Sequence, residues 1–469
     1  MRLPEHSLFQ FLAKALQTHH RFISGKLSRA EAPIYVIGND SADLDSIISA
    51  LVYAYFASPR LHIPLINLPT VPSGPELRRL RPEFVKSLWL STHPPADGDH
   101  PWDDTPESAG KILQDHILTV ADFAAHLQRH NHDTTRLTAE AVLVDWNALP
   151  ERSPDGQRGK GTLPGLPSID FTVIGCIDHH ADEHFLAPIT TENQPFLLQP
   201  SGSCASLIVN MLDKMSRWSR HSQPMPTPTT ELQLSKLAMS PILIDTANFT
   251  AKEKVTDSDT LAYSFLRSKI SNDAQILSHH WDHNAFFMEI VTAKQNSLDL
   301  LIVGEVLDRD YKQWTESPSS SSRSLTVGIC SMVKSLPWVI RKAGNAEAFL
   351  DEVYAFAQRK ELDIVMVMTA FGVPNPDGGK KERFCRELLV CALGEQQEEE
   401  AGVQAVQAFM VRAGLELGLE DWVVLDGEDG SELAGCEHGR MWKRVWVQGN
   451  VTKSRKQVAP LIREAVCSL

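Results

Sequence analysis

The sequence has no CxxC pair, no apolar run close to the roughly 20 residues that span a bilayer, and no excess of positive charge. Each absence excludes something. The seven cysteines, at positions 176, 204, 330, 385, 391, 436 and 467, are scattered and odd in number. That pattern argues against a disulfide framework and a thiolate zinc site, and fits reduced thiols in a cytoplasmic protein. The N-terminal stretch MRLPEHSLFQFLAKAL lacks a secretory core and cleavage signal, and reads as an amphipathic helix with Phe9, Leu12 and Leu16 on one face. The formal charge of −14 argues against nucleic-acid and anionic-membrane partners, which call for a basic surface. It leaves an anionic substrate open, because a bound cation inverts the local field. Lys380 and Lys381 follow an Asp-Gly-Gly, but no G-x-x-x-x-G-K-[ST] surrounds them, so a hairpin turn is the better reading than a phosphate loop. No internal repeat is visible.

What is present is an ordinary globular composition, 42% hydrophobic and 22% charged over 469 residues, enough for two or three domains. Short β-branched runs alternate with helical patterns in the first half. IYVIG (34–38) precedes a helix from about Ser46, AVLVDWN (141–147) and FTVIGCIDHH (171–180) are further apolar runs, SGSCASLIVNMLDKM (201–215) is a small-residue turn opening a helix, and LQLSKLAMSPILIDTANFT (232–250) is helical and then ends in another Asp and Asn. This alternation predicts a parallel α/β sheet, with ligands beyond the carboxyl ends of its strands. Stretches 149–168, 216–230 and 317–324 read as polar surface loops, and 253–285 as polar and helix-like with a hinge near 270–285. A second α/β region follows, in which 362–393 reads as a strand, a turn and a returning strand.

Each apolar run of the first half, and a fourth at ILID, ends in metal-compatible residues: Asn39, Asp43 and Asp45, then Asp145, then Asp178, His179 and His180, then Asp245. One strand-end Asp is commonly a cap or turn former. Four such ends in one parallel sheet converge on one edge, where the acids repel unless cations join them. Four carboxylates and one or two imidazoles suit two divalent ions sharing an Asp. RHNHD (129–133) and SHHWDH (278–283) are also His-rich, but follow no strand and read as exposed helix or hinge residues.

GNDSADLDS, VDWN, DHH, GSCAS and IDTAN together resemble the DHH phosphoesterases, and SRKQVAP (454–460) resembles the signature of the DHHA2 domain. Family II inorganic pyrophosphatases, eukaryotic cytosolic exopolyphosphatases and prune proteins share that pairing. Asn39 stands where bacterial-type pyrophosphatases carry His, and His180 stands where prune proteins typically carry Arg, so the resemblance is nearest to a fungal-type exopolyphosphatase. It implies a parallel-sheet DHH domain (1–275), a smaller α/β DHHA2 domain (276–469) and an active site in a cleft between them. The implied reaction is release of terminal orthophosphate from linear inorganic polyphosphate by hydroxide formed between two metals. A pyrophosphatase and a prune-like interaction protein are the rivals.

By motif position the resemblance implies that Asp43 and Asp145 hold one metal, with Asn39 nearby or acting through water. Asp45, Asp145, His179 and Asp245 hold the other, with Asp145 bridging. His180 donates to substrate phosphate, Asp178 orients an imidazole, and Arg455, Lys456 and Lys312 grip phosphate oxygens. An amide in place of the imidazole leaves an oxygen-rich site suited to Mg2+, with Mn2+ or Co2+ able to substitute. The expected assembly is a monomer or weak homo-oligomer. The chain departs from the family at Trp146, where relatives often carry His.

Overall fold

The β-branched runs that end in acids become the middle of one sheet. The computed structural model describes residues 7–96, 98–130, 136–153, 156–186, 195–218, 229–271, 281–319, 323–374, 383–394, 401–425 and 432–469. It divides into two units, Met1–Ser297 and Leu298–Leu469. The division falls C-terminal of 275/276, because the helix His283–Gln295 still packs on the first unit's helices Pro82–Thr92 and Thr229–Asp245.

In the first unit the strands are β1 (Ile34–Ile37), β2 (His62–Leu65), β3 (Leu137–Val144), β4 (Glu151–Arg152), β5 (Lys160–Leu163), β6 (Leu166–Asp178) and β7 (Phe196–Leu198). Their order is β2-β1-β3-β6-β5-β4, with β7 beside β6. The pairs β1–β2, β1–β3, β3–β6 and β6–β7 are parallel, and β4–β5 and β5–β6 are antiparallel. β1 runs to β2 on one side and the chain returns to β3 on the other, so the order switches beside the carboxyl ends of β1 and β3.

Alternate residues feed the two faces of the sheet. Val36, Val142, Val144 and Ile177 pack with the helices Leu44–Phe56, Cys204–Lys214 and Thr229–Asp245 through Ile47, Leu51, Leu207, Ile208 and Leu234. Tyr35, Ile37, Leu143 and Phe171 pack with the helices Leu8–Ile23 and Val120–Arg129 through Ala15, Ile23, Phe123 and Leu127. Cutting Leu51 or Phe123 back to Ala opens a cavity in a fully buried layer and costs about 2–5 kcal/mol. Phe9 and Leu12 of the N-terminal helix are buried, as its amphipathic pattern requires.

Two expectations for this unit are corrected. The helical reading of 232–250 holds, and ILID closes the 17-residue helix Thr229–Asp245, so it is not a fourth strand end. The stretch 149–168 is no simple loop: β4, β5 and the start of β6 form an antiparallel ladder there. The Asp-Gly-Gly turn, most of the 216–230 loop, residues 131–133 of RHNHD and 278–280 of SHHWDH lie outside the described residues.

The second unit holds β8 (Tyr311–Glu316), β9 (Leu325–Met332), β10 (Ile364–Thr369), β11 (Phe371–Val373), β12 (Arg383–Cys385), β13 (Glu387–Leu393), β14 (Leu419–Asp421) and β15 (Met441–Gln448). Six of them form a sheet in the order β14-β15-β13-β10-β9-β8, parallel only at β9–β10. The helices Ala401–Leu417 and Arg455–Cys467 bury Phe409, Val458 and Ile462 against Val327, Met366 and Val390 of this sheet. Among the described residues no helix is long and apolar enough to cross a membrane.

Candidate metal centre

Three strand ends deliver the site. Asp145 follows β3, Asp178 closes β6 with His179 and His180 behind it, and Asn39 lies two residues past β1. Ligand atoms of Asp145, Asp178, His179 and His180 all lie within 4.8 Å of one another. His179 Nε2 is 3.0 Å from Asp145 Oδ1. His180 Nδ1 is 2.8 Å from Asp178 Oδ1 and 3.8 Å from Asp145 Oδ1.

Asp145 adopts the left-handed φ of 55°, uncommon for a residue with a side chain. Its surroundings hold it there. Asn39 Nδ2 donates to its carbonyl oxygen at 3.2 Å and to Oδ2 at 2.8 Å, and Ser46 Oγ donates to Oδ2 at 2.6 Å. The Asp145 N–H reaches Cys204 Sγ at 3.2 Å. Asn39 Oδ1 in turn accepts from the N–H and hydroxyl of Ser41.

The two aspartates of GNDSADLDS play different parts. Asp43 caps the helix Leu44–Phe56, accepting from Ser46 N at 3.0 Å. Asp45, one residue into that helix, is buried and caps another helix in space. It accepts from Ser203 Oγ at 2.9 Å, Cys204 N at 2.6 Å and Ala205 N at 3.0 Å, at the N-terminus of Cys204–Lys214. Asp245 ends its helix, and the next turn puts Ala247, Asn248 and Phe249 in left-handed conformations at φ 48°, 54° and 62°.

The electrostatics are those of a crowded anionic pocket. Burial raises the carboxyl of Asp145 above its ordinary range, and the charges of Asp45 and Asp43 add to that. Asp45 is raised by burial with Asp43 adding, against the pull of His179. Asp245 is raised well above by burial and by the charges of Asp45 and Asp43. Burial alone would lower His179, but its bond to Asp145 and the charge of Asp45 outweigh it and raise the imidazole. His180 is raised chiefly by its hydrogen bond to Asp178. Three desolvated carboxylates that share each other's field, with imidazole nitrogens beside them, fit divalent cations: oxygen-rich, anionic and short of positive charge.

Asp178 is fully buried and orients its neighbours. It accepts from His180 Nδ1, the His179 N–H at 2.8 Å and Asn147 Nδ2 at 2.6 Å. Asn147 Oδ1 takes the N–H of Glu183 at 2.8 Å, fixing the chain after DHH. The structure thus brings Asn39, Asp43, Asp45, Asp145, Asp178, His179, His180 and Asp245 into one neighbourhood. Lys312, Arg455 and Lys456 belong to the second unit. Arg455 opens the helix Arg455–Cys467 and binds Asp310 through Nη1 to the carbonyl at 2.9 Å and Nη2 to Oδ1 at 2.7 Å, two residues from Lys312 on the edge strand β8. The sequence alone assigns no role to Ser46 or Asn147. Both stand inside quoted motifs, DLDS and VDWN, which was their only signal.

The family model of the DHH family, N-terminal domain, matches residues 33–239, and that of the DHHA2 domain matches 288–465. A Schizosaccharomyces pombe protein named "Putative exopolyphosphatase" is 27% identical over 444 residues, 94% of this chain and 92% of its own length. A solved structure of a Methanococcus jannaschii "putative family II inorganic pyrophosphatase" covers 92% of this chain and 99% of its own, at 18% identity and a TM-score of 0.44. With both family models matched in sequence order, the chain joins a DHH-family N-terminal domain to a DHHA2 domain.

Proposed function

We propose that this protein is a metal-dependent exopolyphosphatase that releases terminal orthophosphate from linear inorganic polyphosphate. The observation that carries the reading is the gathering of Asp145, Asp178, His179 and His180 within 4.8 Å at the carboxyl ends of β3 and β6, beside the buried Asp45. The choice of polyphosphate is supported by the name of the S. pombe relative. In this reading Asp43, Asp45, Asp145, His179 and Asp245 hold two divalent cations, with Asn39 beside Asp145. Mg2+ is the preferred ion, and Mn2+ or Co2+ can substitute. When bound, the cations supply positive charge that acidifies water and neutralises phosphate.

The protein's own groups then have separate tasks. Asp145 and Asp45 concentrate negative charge where cations are needed. His180, whose side chain is 57% exposed, donates to a phosphate oxygen while Asp178 holds its Nδ1–H. Arg455, Lys456 and Lys312 take substrate phosphate from the second unit, Arg455 exchanging Asp310 for it.

The test is phosphate release from long polyphosphate, tripolyphosphate and pyrophosphate, with Mg2+ and again with EDTA. The expected result is EDTA-sensitive release from the polymers with pyrophosphate left over. Pyrophosphate as the best substrate assigns a pyrophosphatase instead, and no release with metal still bound assigns a binding protein.

A further inference from the structure

Asp259 stands outside every motif quoted above, in the first turn of the helix Asp257–Ser271. It is fully buried and its two oxygens accept six hydrogen bonds. Two come from Thr256, from N and Oγ1, both at 2.8 Å. Those are what a helix start requires. The other four come from a segment more than fifty residues away: Ser201 Oγ at 3.1 Å, Gly202 N at 2.9 Å, Ser203 N at 3.3 Å and Ser206 Oγ at 2.7 Å. Burial would raise the carboxyl, but the bonds from Ser206, Thr256 and Gly202 outweigh it and hold the group below the ordinary range. The segment also leaves no slack. A Cβ at Gly202 would lie 2.8 Å from Asp259 Oδ2, 2.8 Å from the Lys254 carbonyl oxygen and 3.0 Å from Thr246 Cγ2, next to Asp245.

The opposite side of this segment faces the metal centre. The Ser201 carbonyl lies 2.8 Å from His179 Nδ1. A carbonyl only accepts, so Nδ1 carries a proton in every charge state, and Nε2, 3.0 Å from Asp145, is the nitrogen left for a metal. Ser203 Oγ and the N–H groups of Cys204 and Ala205 hold Asp45. One short stretch therefore sets two of the site's side chains, and Asp259 is the group that sets the stretch.

We propose that Asp259 is a positioning residue of the metal centre: by fixing Ser201–Ser206 it imposes the Nδ1–H tautomer on His179 and anchors Asp45. Its reach to a cation rests on the metal-centre reading above; its hold on the tautomer does not.

The experiment uses the full chain in three forms: wild type, Asp259→Asn and Thr256→Val. Asn replaces one acceptor oxygen by a donor that opposes the N–H groups of Gly202 and Thr256. Val removes only the hydroxyl that serves the helix start. Mg2+ and Mn2+ binding to metal-stripped protein is measured by calorimetry, the His179 tautomer by 15N NMR above pH 10, where the raised ring is neutral and has a tautomer to read, and stability by melting. Asp259→Asn should weaken cation binding about 10–100-fold and mix the His179 tautomers. Thr256→Val should melt lower with both readouts unchanged. An Asp259→Asn protein that melts lower yet binds as wild type with one tautomer overturns the proposal and leaves Asp259 a structural group. If that variant does not fold, Ser206→Ala removes a single donor: a several-fold loss of binding with tautomer mixing supports the proposal, and wild-type behaviour overturns it. A wild type that binds neither ion refutes the metal-centre reading, and the tautomer comparison still decides the role of Asp259.

Discussion

Two adjacent histidine pairs in the first unit show how neighbours decide what an imidazole does. His19 and His20, in THHR, end the helix Leu8–Ile23; His179 and His180, in DHHA, follow a strand. His19 is fully buried, with Nδ1 3.0 Å from the Tyr35 hydroxyl, Nε2 3.2 Å from His126 Nδ1 and the Phe123 ring centroid 4.5 Å away. Burial holds it well below 6.5, and the charges of His126, His20 and His130 push the same way. The second pair is also partly desolvated, yet both its rings are raised, because Asp145 and Asp178 accept from them. Burial makes a neutral histidine unless a carboxylate is in hydrogen-bond reach. His19 serves packing, and the second pair sits among carboxylates that fit divalent cations.

The sharpest way to break this contrast is to remove the carboxylate. Asp145→Asn should cut metal-dependent phosphate release by more than about 100-fold, beyond the loss usual for a group one step from a metal. In metal-stripped protein the same change should lower the His179 pKa from its raised value, making that ring resemble His19. NMR titration reads this directly, and an unmoved His179 would show that Asp145 is not what raises it.

Next in size is His180→Gln, which separates the two members of DHH. A hydrogen bond to a charged group is worth about 1.5–3 kcal/mol, so kcat/KM should fall roughly ten- to a hundredfold. Cation affinity should stay at the wild-type level, because His180 is assigned to phosphate. Equal loss of rate and of metal would move His180 into the metal's own ligand set.

Most of the site was legible because parallel strands deliver their ends to one edge. The runs before Asn39, Asp145 and Asp178 are strands β1, β3 and β6, and the sheet does the gathering. The fourth run misled. The helix Thr229–Asp245 buries thirteen of its residues on all sides, so it shows no 3.6-residue period, and ILID with its β-branched residues looks like a strand. The stretch 149–168 was hidden differently. Gly and Pro punctuation reads as loop, yet Gly161 is there because a Cβ would fall 2.3 Å from the Glu151 carbonyl oxygen across the β4–β5 ladder. Ser46 and Asp259 could not be ranked from sequence, since their informative partners lie 99 and more than fifty residues away. Local pattern carries strand ends and caps, and tertiary hydrogen bonds leave no period to read.

The smallest expected effect tests the packed histidines His19 and His126 by pH. His126 is lowered to about 4, by burial first and then by the charge of His20, with Asp122 opposing. A histidine with a lowered folded-state pKa is neutral in both states above about 6.5. As pH falls below that value the unfolded chain takes up the proton first, so the folded state loses stability until about pH 4, where His126 protonates in place. His19 acts in the same direction. The melting temperature should therefore fall between pH 7 and pH 5, on the order of a few degrees for each histidine in a domain of this size. His126→Gln should flatten that fall while leaving phosphate release at pH 7 unchanged, because the ring lies among the helices Leu8–Ile23 and Val120–Arg129, against the face of the sheet opposite Ile47 and Leu207. A fall toward low pH that survives both His126→Gln and His19→Gln would overturn the assignment to these rings, and a fall toward high pH would place the sensitive protons in the acidic site. There the sign is opposite: raised carboxylates such as Asp145 cost stability as pH rises above about 4, and added Mg2+ should restore it.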